Sequence, residues 1–166
     1  MSIEINRVSA HEEVEVVANL AKTIWNQHYV SIIGQNQVDY MIDKFQSIEA
    51  IDHQIFTDCF EYYIIKLNGE NVGYISIRLN DRDLFLSKLY ILEEFRWKGL
   101  GSEALAFIVG RARMLKAISI SLTVNKYNDD SIRAYEKMGF QKIESVVADI
   151  GNGYVMDDYL MKLPLE

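Results

Sequence analysis

The stretch Leu84–Ala112, LFLSKLYILEEFRWKGLGSEALAFIVGRA, restricts the fold of this chain more than any other. An apolar strand enters a short charged turn, followed by Gly99 and Gly101 and then by a helix with Ala104, Leu105, Ile108, Ala112 and Leu115 on one face. A strand that delivers a glycine-rich turn to a helix N-terminus points unpaired backbone N–H groups and the positive end of the helix dipole at one place. That place favours an anion, a phosphate above all.

The elements around the stretch predict a mixed sheet with helices packed on it, α/β in the α+β sense, over a single domain at 1–166. Ile3 to Ser9 alternates weakly as a first strand. Val14, Val17, Ala18, Ala21, Ile24, Trp25 and His28 then recur at helical spacing until Ser31–Gly34 breaks the pattern. Val38, Met41, Ile42 and Phe45 predict a second, shorter helix, and Ser47 caps a third that runs to about Asp58.

Glu61–Leu67 and Val72–Leu79 flank Asn68-Gly69-Glu70-Asn71, whose Asn-Gly pair supplies the positive φ angles of a tight hairpin. Asp81-Arg82-Asp83 turns into the strand Leu84–Leu92. In Ile118–Val124, Ile118, Ile120, Leu122 and Val124 alternate with Ser119, Ser121 and Thr123, which predicts one apolar and one polar face. Asn128 caps a helix bearing Ile132, Tyr135 and Met138, and Gly139 ends it. Phe140–Ile150 and Tyr154–Leu163 close the chain as a hairpin around Gly151-Asn152-Gly153.

Charge and composition narrow the partners. A net charge of −7 argues against nonspecific nucleic-acid binding, and no apolar run reaches membrane-spanning length. The lone Cys59 excludes an internal disulfide and fits a reducing compartment, so a cytoplasmic protein without a secretion signal is expected. His11, His28 and His53 are scattered, and no metal site is expected.

Three phosphate patterns compete for the central turn. The triphosphate loop G-x-x-x-x-G-K-[ST] is absent. Gly99-Leu100-Gly101-Ser102-Glu103-Ala104 nominally fits the dinucleotide pattern, but Glu93–Lys98 separates the first glycine from the strand and positions 118–124 hold no ribose-binding acid. The third pattern, R/Q-x-x-G-x-G/A, is met by Arg96-Trp97-Lys98-Gly99-Leu100-Gly101. With KLYILEEF before it and ISLTVNKYNDDSIRAYEKMGF after it, the chain resembles the GNAT family of acyl-CoA-dependent N-acetyltransferases. Asn128, Tyr135, Lys137, Gly139 and Phe140 supply that family's second signature.

The resemblance implies a mostly antiparallel central sheet with splayed fourth and fifth strands, and acetyl-CoA as cosubstrate with no metal. It places the pyrophosphate among the N–H groups of Trp97, Lys98, Gly99, Leu100, Gly101 and Ser102, with charge from Arg96 and Lys98. It implies that the backbone of Leu89, Tyr90 and Ile91 pairs with the pantetheine arm, Ile91 N–H polarising the thioester carbonyl. Asn128 takes the position that bonds the arm and Tyr135 that of the general acid, with direct attack by the amine and no role for Cys59 as nucleophile.

The acceptor is less constrained. A Glu carried by some protein N-terminal acetyltransferases five residues before the Asn is Thr123 here. Glu61, Asp149, Asp157, Asp158 and Tyr29 remain as candidate bases, while Glu93 and Glu94 belong to the turn. The flanks resemble a small-molecule branch that includes polyamine acetyltransferases, and an acid beside Trp25, His28, Tyr29 or Tyr154 would suit a cationic amine. A peptide or protein acetyltransferase and a non-catalytic acyl-CoA sensor are the alternatives. The edge strands of the closing hairpin are compatible with a homodimer.

Overall fold

A computed structural model describes residues 2–166 of the chain. The order is β1 (Ile3–Arg7), α1 (His11–His28), α2 (Val30–Ile33), α3 (Gln35–Phe45), α4 (Ile48–Phe56), β2 (Glu61–Leu67), β3 (Glu70–Asn80) and β4 (Asp83–Ile91), then α5 (Leu100–Met114), β5 (Ser119–Asn125), α6 (Asp129–Lys137), β6 (Gln141–Gly151) and β7 (Tyr154–Pro164). A 3₁₀ turn, Glu93–Phe95, separates β4 from α5. The strands form one mixed sheet in the order β1-β2-β3-β4-β5-β7-β6, with β4 and β5 parallel. The chain divides into two compact units: residues up to Arg78 with Lys88–Phe107, and Leu79–Ser87 with Ile108–Glu166.

In the first unit, β2 pairs antiparallel with β1 and β3, and pleating sends alternate side chains to opposite faces. Tyr62 and Tyr74 go to the face covered by α1, α3 and α4, where Tyr62 meets Gln46 and Tyr74 meets Trp25. Tyr63 goes to the other face, where its ring meets Phe107 of α5 edge-on. Because both faces are covered, β2 and β3 read as nearly unbroken apolar runs. Asn68 and Gly69 both have positive φ, 52° and 83°, so the β2–β3 turn has two residues and β3 already begins at Glu70. Glu70 and Asn71, expected in the turn from sequence, belong to the strand, and a bulge at Val72 absorbs the register difference.

Helix ends follow their capping residues. Ser47 Oγ accepts from Ala50 N at 3.1 Å, as the sequence implies. Glu13 accepts from the backbone N–H groups of Ser9 and Ala10 at the start of α1, and these bonds, the one from Ser9 foremost, hold its carboxyl below the usual range. Ser31–Ile33, read as a break, continues helical in α2, and the chain turns only at Gly34, φ 86°.

In the second unit, β5 lies between β4 and β7. The alternation expected for Ile118–Val124 holds at Ile120, Leu122 and Val124, which are buried, and at Thr123, which is exposed, and fails at Ile118, Ser119 and Ser121. Ile118 precedes the strand and is 52% exposed, whereas Ser119 and Ser121 are buried. Both serine hydroxyls donate to the Asp83 carboxylate of β4, which satisfies polar groups that a one-sided strand would have shown to water. The β6–β7 hairpin turns at Asn152-Gly153, again with two positive φ values, and β6 is the exposed edge of the sheet.

Candidate active site

The turn at 96–102 has the backbone its glycines imply. Positive φ at Trp97 (65°) and Gly99 (80°) alternates with ordinary values at Arg96 and Lys98. A residue at positive φ next to a helical one, as Gly99 is to Leu100, is a backbone form whose successive N–H groups can face one anion. Glu103 N bonds Gly99 O at 3.1 Å, so the first-turn N–H groups of Leu100, Gly101 and Ser102 precede the intrahelical ladder. Leu100 is buried and anchors the helix start, while Trp97 is 94% exposed. A tryptophan held at positive φ with its ring in solvent is backbone strain without packing gain, as occurs at functional turns.

Arg96 does more than supply charge. Its Nε donates to Ile91 O at 3.2 Å, tying the turn to the end of β4. Leu92 N donates to Val72 O at 2.8 Å, so β3 holds the same peptide from the other side. Tyr90, next to Ile91, sends its ring into a cluster with Trp25, Tyr29 and Tyr74, and its hydroxyl lies 2.9 Å from that of Tyr29. Parallel pairing of β4 with β5 covers only Asp83–Phe85 against Ser119–Ser121, although β4 continues to Ile91.

A buried polar chain underlies the aromatic cluster. Trp25 Nε1 donates to Tyr74 OH (3.1 Å), Tyr74 OH to Gln46 Oε1 (2.6 Å), Gln46 Nε2 to Tyr62 OH (3.0 Å), and Tyr62 OH to Gln54. Burial pushes both tyrosine hydroxyls up from their usual range, so they stay neutral. Trp25 is therefore a core residue rather than a ring open to an acceptor. Sequence spacing gave no sign of this chain, because its members come from α1, α4, the residue after α3, and two strands.

In the second unit, Asn128 is 5% exposed and caps α6 through Oδ1, which accepts from Ser131 N at 3.4 Å. Tyr135 is half-buried with its ring edge-on to Phe140, and Gly139 at φ 104° ends the helix as expected. Here too the candidate bases are sorted. Asp157 is ion-paired to Lys126 at 2.7 Å, a bond that raises the lysine's pKa, and Asp158, its neighbour on the opposite face, is buried. Asp149 accepts from Gly151 N in the hairpin turn. In the first unit, Glu61 accepts from Tyr63 OH at 2.5 Å and faces Arg7. Among the described residues no three His, Cys, Asp or Glu side chains gather as a metal site, and no helix is long and apolar enough to cross a membrane.

Residues 23–140 match the Acetyltransferase (GNAT) family. An uncharacterised N-acetyltransferase of Lactobacillus delbrueckii subsp. lactis is 22% identical over 75% of this chain and 76% of its own length. One from Mycobacterium bovis is 36% identical over 45% of this chain and 48% of its own. Among solved structures, the PaiA N-acetyltransferase of Thermoplasma acidophilum in complex with coenzyme A superposes with a TM-score of 0.83 at 20% identity, covering 99% of this chain and 100% of that one. A spermidine N-acetyltransferase chimera from Vibrio cholerae and hSSAT superposes at 0.73 and 17% identity, covering 99% and 96%. The ribosomal-protein-S18-alanine N-acetyltransferase of Escherichia coli superposes at 0.70 and 14%, covering 98% and 94%.

Proposed function

This chain belongs to the GNAT family of acetyl-CoA-dependent N-acetyltransferases, and on that premise we propose that it acetylates a small primary amine, polyamines being the first class to test. The observation that carries the donor side is the turn opening α5, with Trp97 and Gly99 at positive φ and the first-turn N–H groups of α5 ahead of the helical ladder, a setting that suits the CoA pyrophosphate. Arg96 and Lys98 add positive charge there, and the backbone of Leu89, Tyr90 and Ile91 offers strand-like pairing to the pantetheine amides. Asn128 serves the same arm: its cap uses Oδ1, and the amide Nδ2 is the donor for a pantetheine carbonyl.

Ile91 N–H donates to the thioester oxygen as negative charge develops on it during attack by the amine. Tyr135 gives its hydroxyl proton to the departing thiolate. The acceptor amine is largely protonated at neutral pH and must lose a proton first. Glu61 and Asp157 are engaged in ion pairs and Asp149 in a turn, so they are poor candidates. The proton is left to water, and the Tyr29 hydroxyl, hydrogen-bonded to Tyr90 OH, can relay it only by passing its own proton on as it accepts one.

Thr123 in place of a glutamate disfavours the N-terminal protein acetyltransferases. The fold does not separate the two, since the spermidine enzyme and the ribosomal-protein enzyme superpose about equally well. A thiol-release assay over small amines and peptides tests the proposal. Turnover of one or more small amines above peptide background is expected; transfer only to peptide or protein amines would replace the small-amine reading. Acetyl-CoA binding with no turnover on any amine would replace it with a sensor.

A further inference from the structure

The end of β4 is held against β3 at one unusual place. A Cβ built on Gly73 would fall well inside van der Waals contact with the Tyr90 carbonyl oxygen and 3.2 Å from both Cα and Cγ1 of Ile91. Two of these atoms are backbone, so no rotamer change relieves the clash. Glycine here permits a close approach of two backbones, the role a glycine in a strand interior commonly marks. The neighbouring bulge at Val72 gives β3 the local bend that brings Gly73 under this peptide.

The direction of that contact has a chemical consequence. The Tyr90 oxygen is the atom nearest the built Cβ, so the Tyr90 C=O points at Gly73. Tyr90 C=O and Ile91 N–H belong to one planar trans peptide and point in opposite directions. Ile91 N–H is therefore aimed away from β3 and out of the ladder. The next peptide is pinned on both sides, Leu92 N–H by Val72 O at 2.8 Å and Ile91 C=O by Arg96 Nε at 3.2 Å. Ile91 thus sits between two fixed peptide planes, and its N–H direction is set by the chain rather than by a ligand.

We infer that Gly73 is a positioning residue for the acetyl-transfer step: by admitting the Tyr90 carbonyl it orients the Ile91 N–H toward the thioester oxygen. The inference rests on the reading of Ile91 N–H as the polarising donor. Any side chain at position 73 displaces the Tyr90–Ile91 peptide while the 96–102 turn keeps its own geometry. The effect belongs on kcat, with acetyl-CoA affinity largely spared.

Gly73→Ala, Gly69→Ala and Ile91→Pro separate the possibilities, with kinetics run well below each variant's melting temperature. Gly73→Ala is expected to lower kcat about 10- to 100-fold with the acetyl-CoA Kd within about threefold of wild type. The infrared stretch of an isotope-labelled acetyl-CoA carbonyl, lowered on binding to the wild type, should return toward its free position. Gly69, with φ 83° and nothing within 4 Å of its built Cβ, controls for strand-turn destabilisation: its variant melts earlier but keeps kcat and the carbonyl shift. Ile91→Pro removes the donor and should lose both.

If Gly73→Ala is folded and keeps kcat and the carbonyl shift while Ile91→Pro loses them, Gly73 has no positioning role and the reading of Ile91 stands. If Ile91→Pro keeps both, that reading fails and this inference with it. Amide exchange on the wild-type protein gives a test that does not depend on folding of the variant. Without acetyl-CoA, Leu92 N–H should be protected and Ile91 N–H exchange freely, becoming protected when acetyl-CoA binds; a slowly exchanging Ile91 N–H in the free protein overturns the proposed orientation.

Discussion

The turn at 96–102 and the buried chain from Trp25 to Gln54 sit in the same unit and are built from opposite materials. The turn works through backbone N–H groups, and its most conspicuous side chain, Trp97, is in solvent. The polar chain works through side-chain hydroxyls, amides and an indole, with Tyr62 and Tyr74 fully buried. Backbone chemistry is encoded by local spacing, because glycine positions decide where φ can be positive. Side-chain networks are encoded by tertiary packing, and each member must find its partner or carry a desolvation cost. One region can therefore tolerate side-chain replacement and the other cannot.

The largest expected effect breaks the buried side. Gln46→Ala removes the acceptor of Tyr74 OH and the donor to Tyr62 OH, leaving two buried hydroxyls without that partner. A loss of about 3 kcal/mol in urea unfolding is expected. Tyr135→Phe comes next and tests the proposed general acid, a role that a side chain rather than the backbone would fill. A fall in kcat of about 100-fold is expected in steady-state assays, with acetyl-CoA affinity within about twofold.

Gly99→Ala tests the backbone side directly. A Cβ there meets no protein atom within 4 Å, so a loss reports φ 80° or the closeness of the bound phosphate rather than packing, and acetyl-CoA binding should weaken about 10-fold by calorimetry. Trp97→Gly sharpens the contrast, since it removes a large side chain but keeps the N–H. Acetyl-CoA affinity within about threefold of wild type is expected. The smallest effect is at Glu13. Its pKa is lowered in the folded protein, so its stabilisation is present above the unfolded value of about 4.3 and fades as pH falls through the folded value. The stability difference between wild type and Glu13→Gln should be a few tenths of a kcal/mol at neutral pH and vanish in acid, as read by pH-dependent melts.

The same contrast explains what could be read from the sequence. The Asn-Gly turns, the Ser47 and Asn128 caps, the Gly139 terminus and the 96–102 turn are local rules, and each appears where its residues stand. The family signature picks out Asn128 and Tyr135 by spacing alone, without any knowledge of packing. What escaped was long-range. Ser119 and Ser121 looked like a solvent face because their partner, Asp83, lies about 36 residues away in sequence and appears only once β4 and β5 pair. Trp25 looked available to a ligand because its hydrogen bond to Tyr74 spans 49 residues. Gly73 carried no signal beyond being a glycine in a strand.

The proposed seat of the CoA pyrophosphate is the turn at 96–102. Its most direct measurement compares acetyl-CoA with acetyl-pantetheine, which lacks the phosphates and nucleotide, by calorimetry on wild type and Gly99→Val. Acetyl-CoA is expected to bind wild type at least about 100-fold more tightly, and Gly99→Val to weaken acetyl-CoA while leaving acetyl-pantetheine nearly unchanged. Equal affinity of wild type for the two compounds, or equal weakening of both by Gly99→Val, would contradict it.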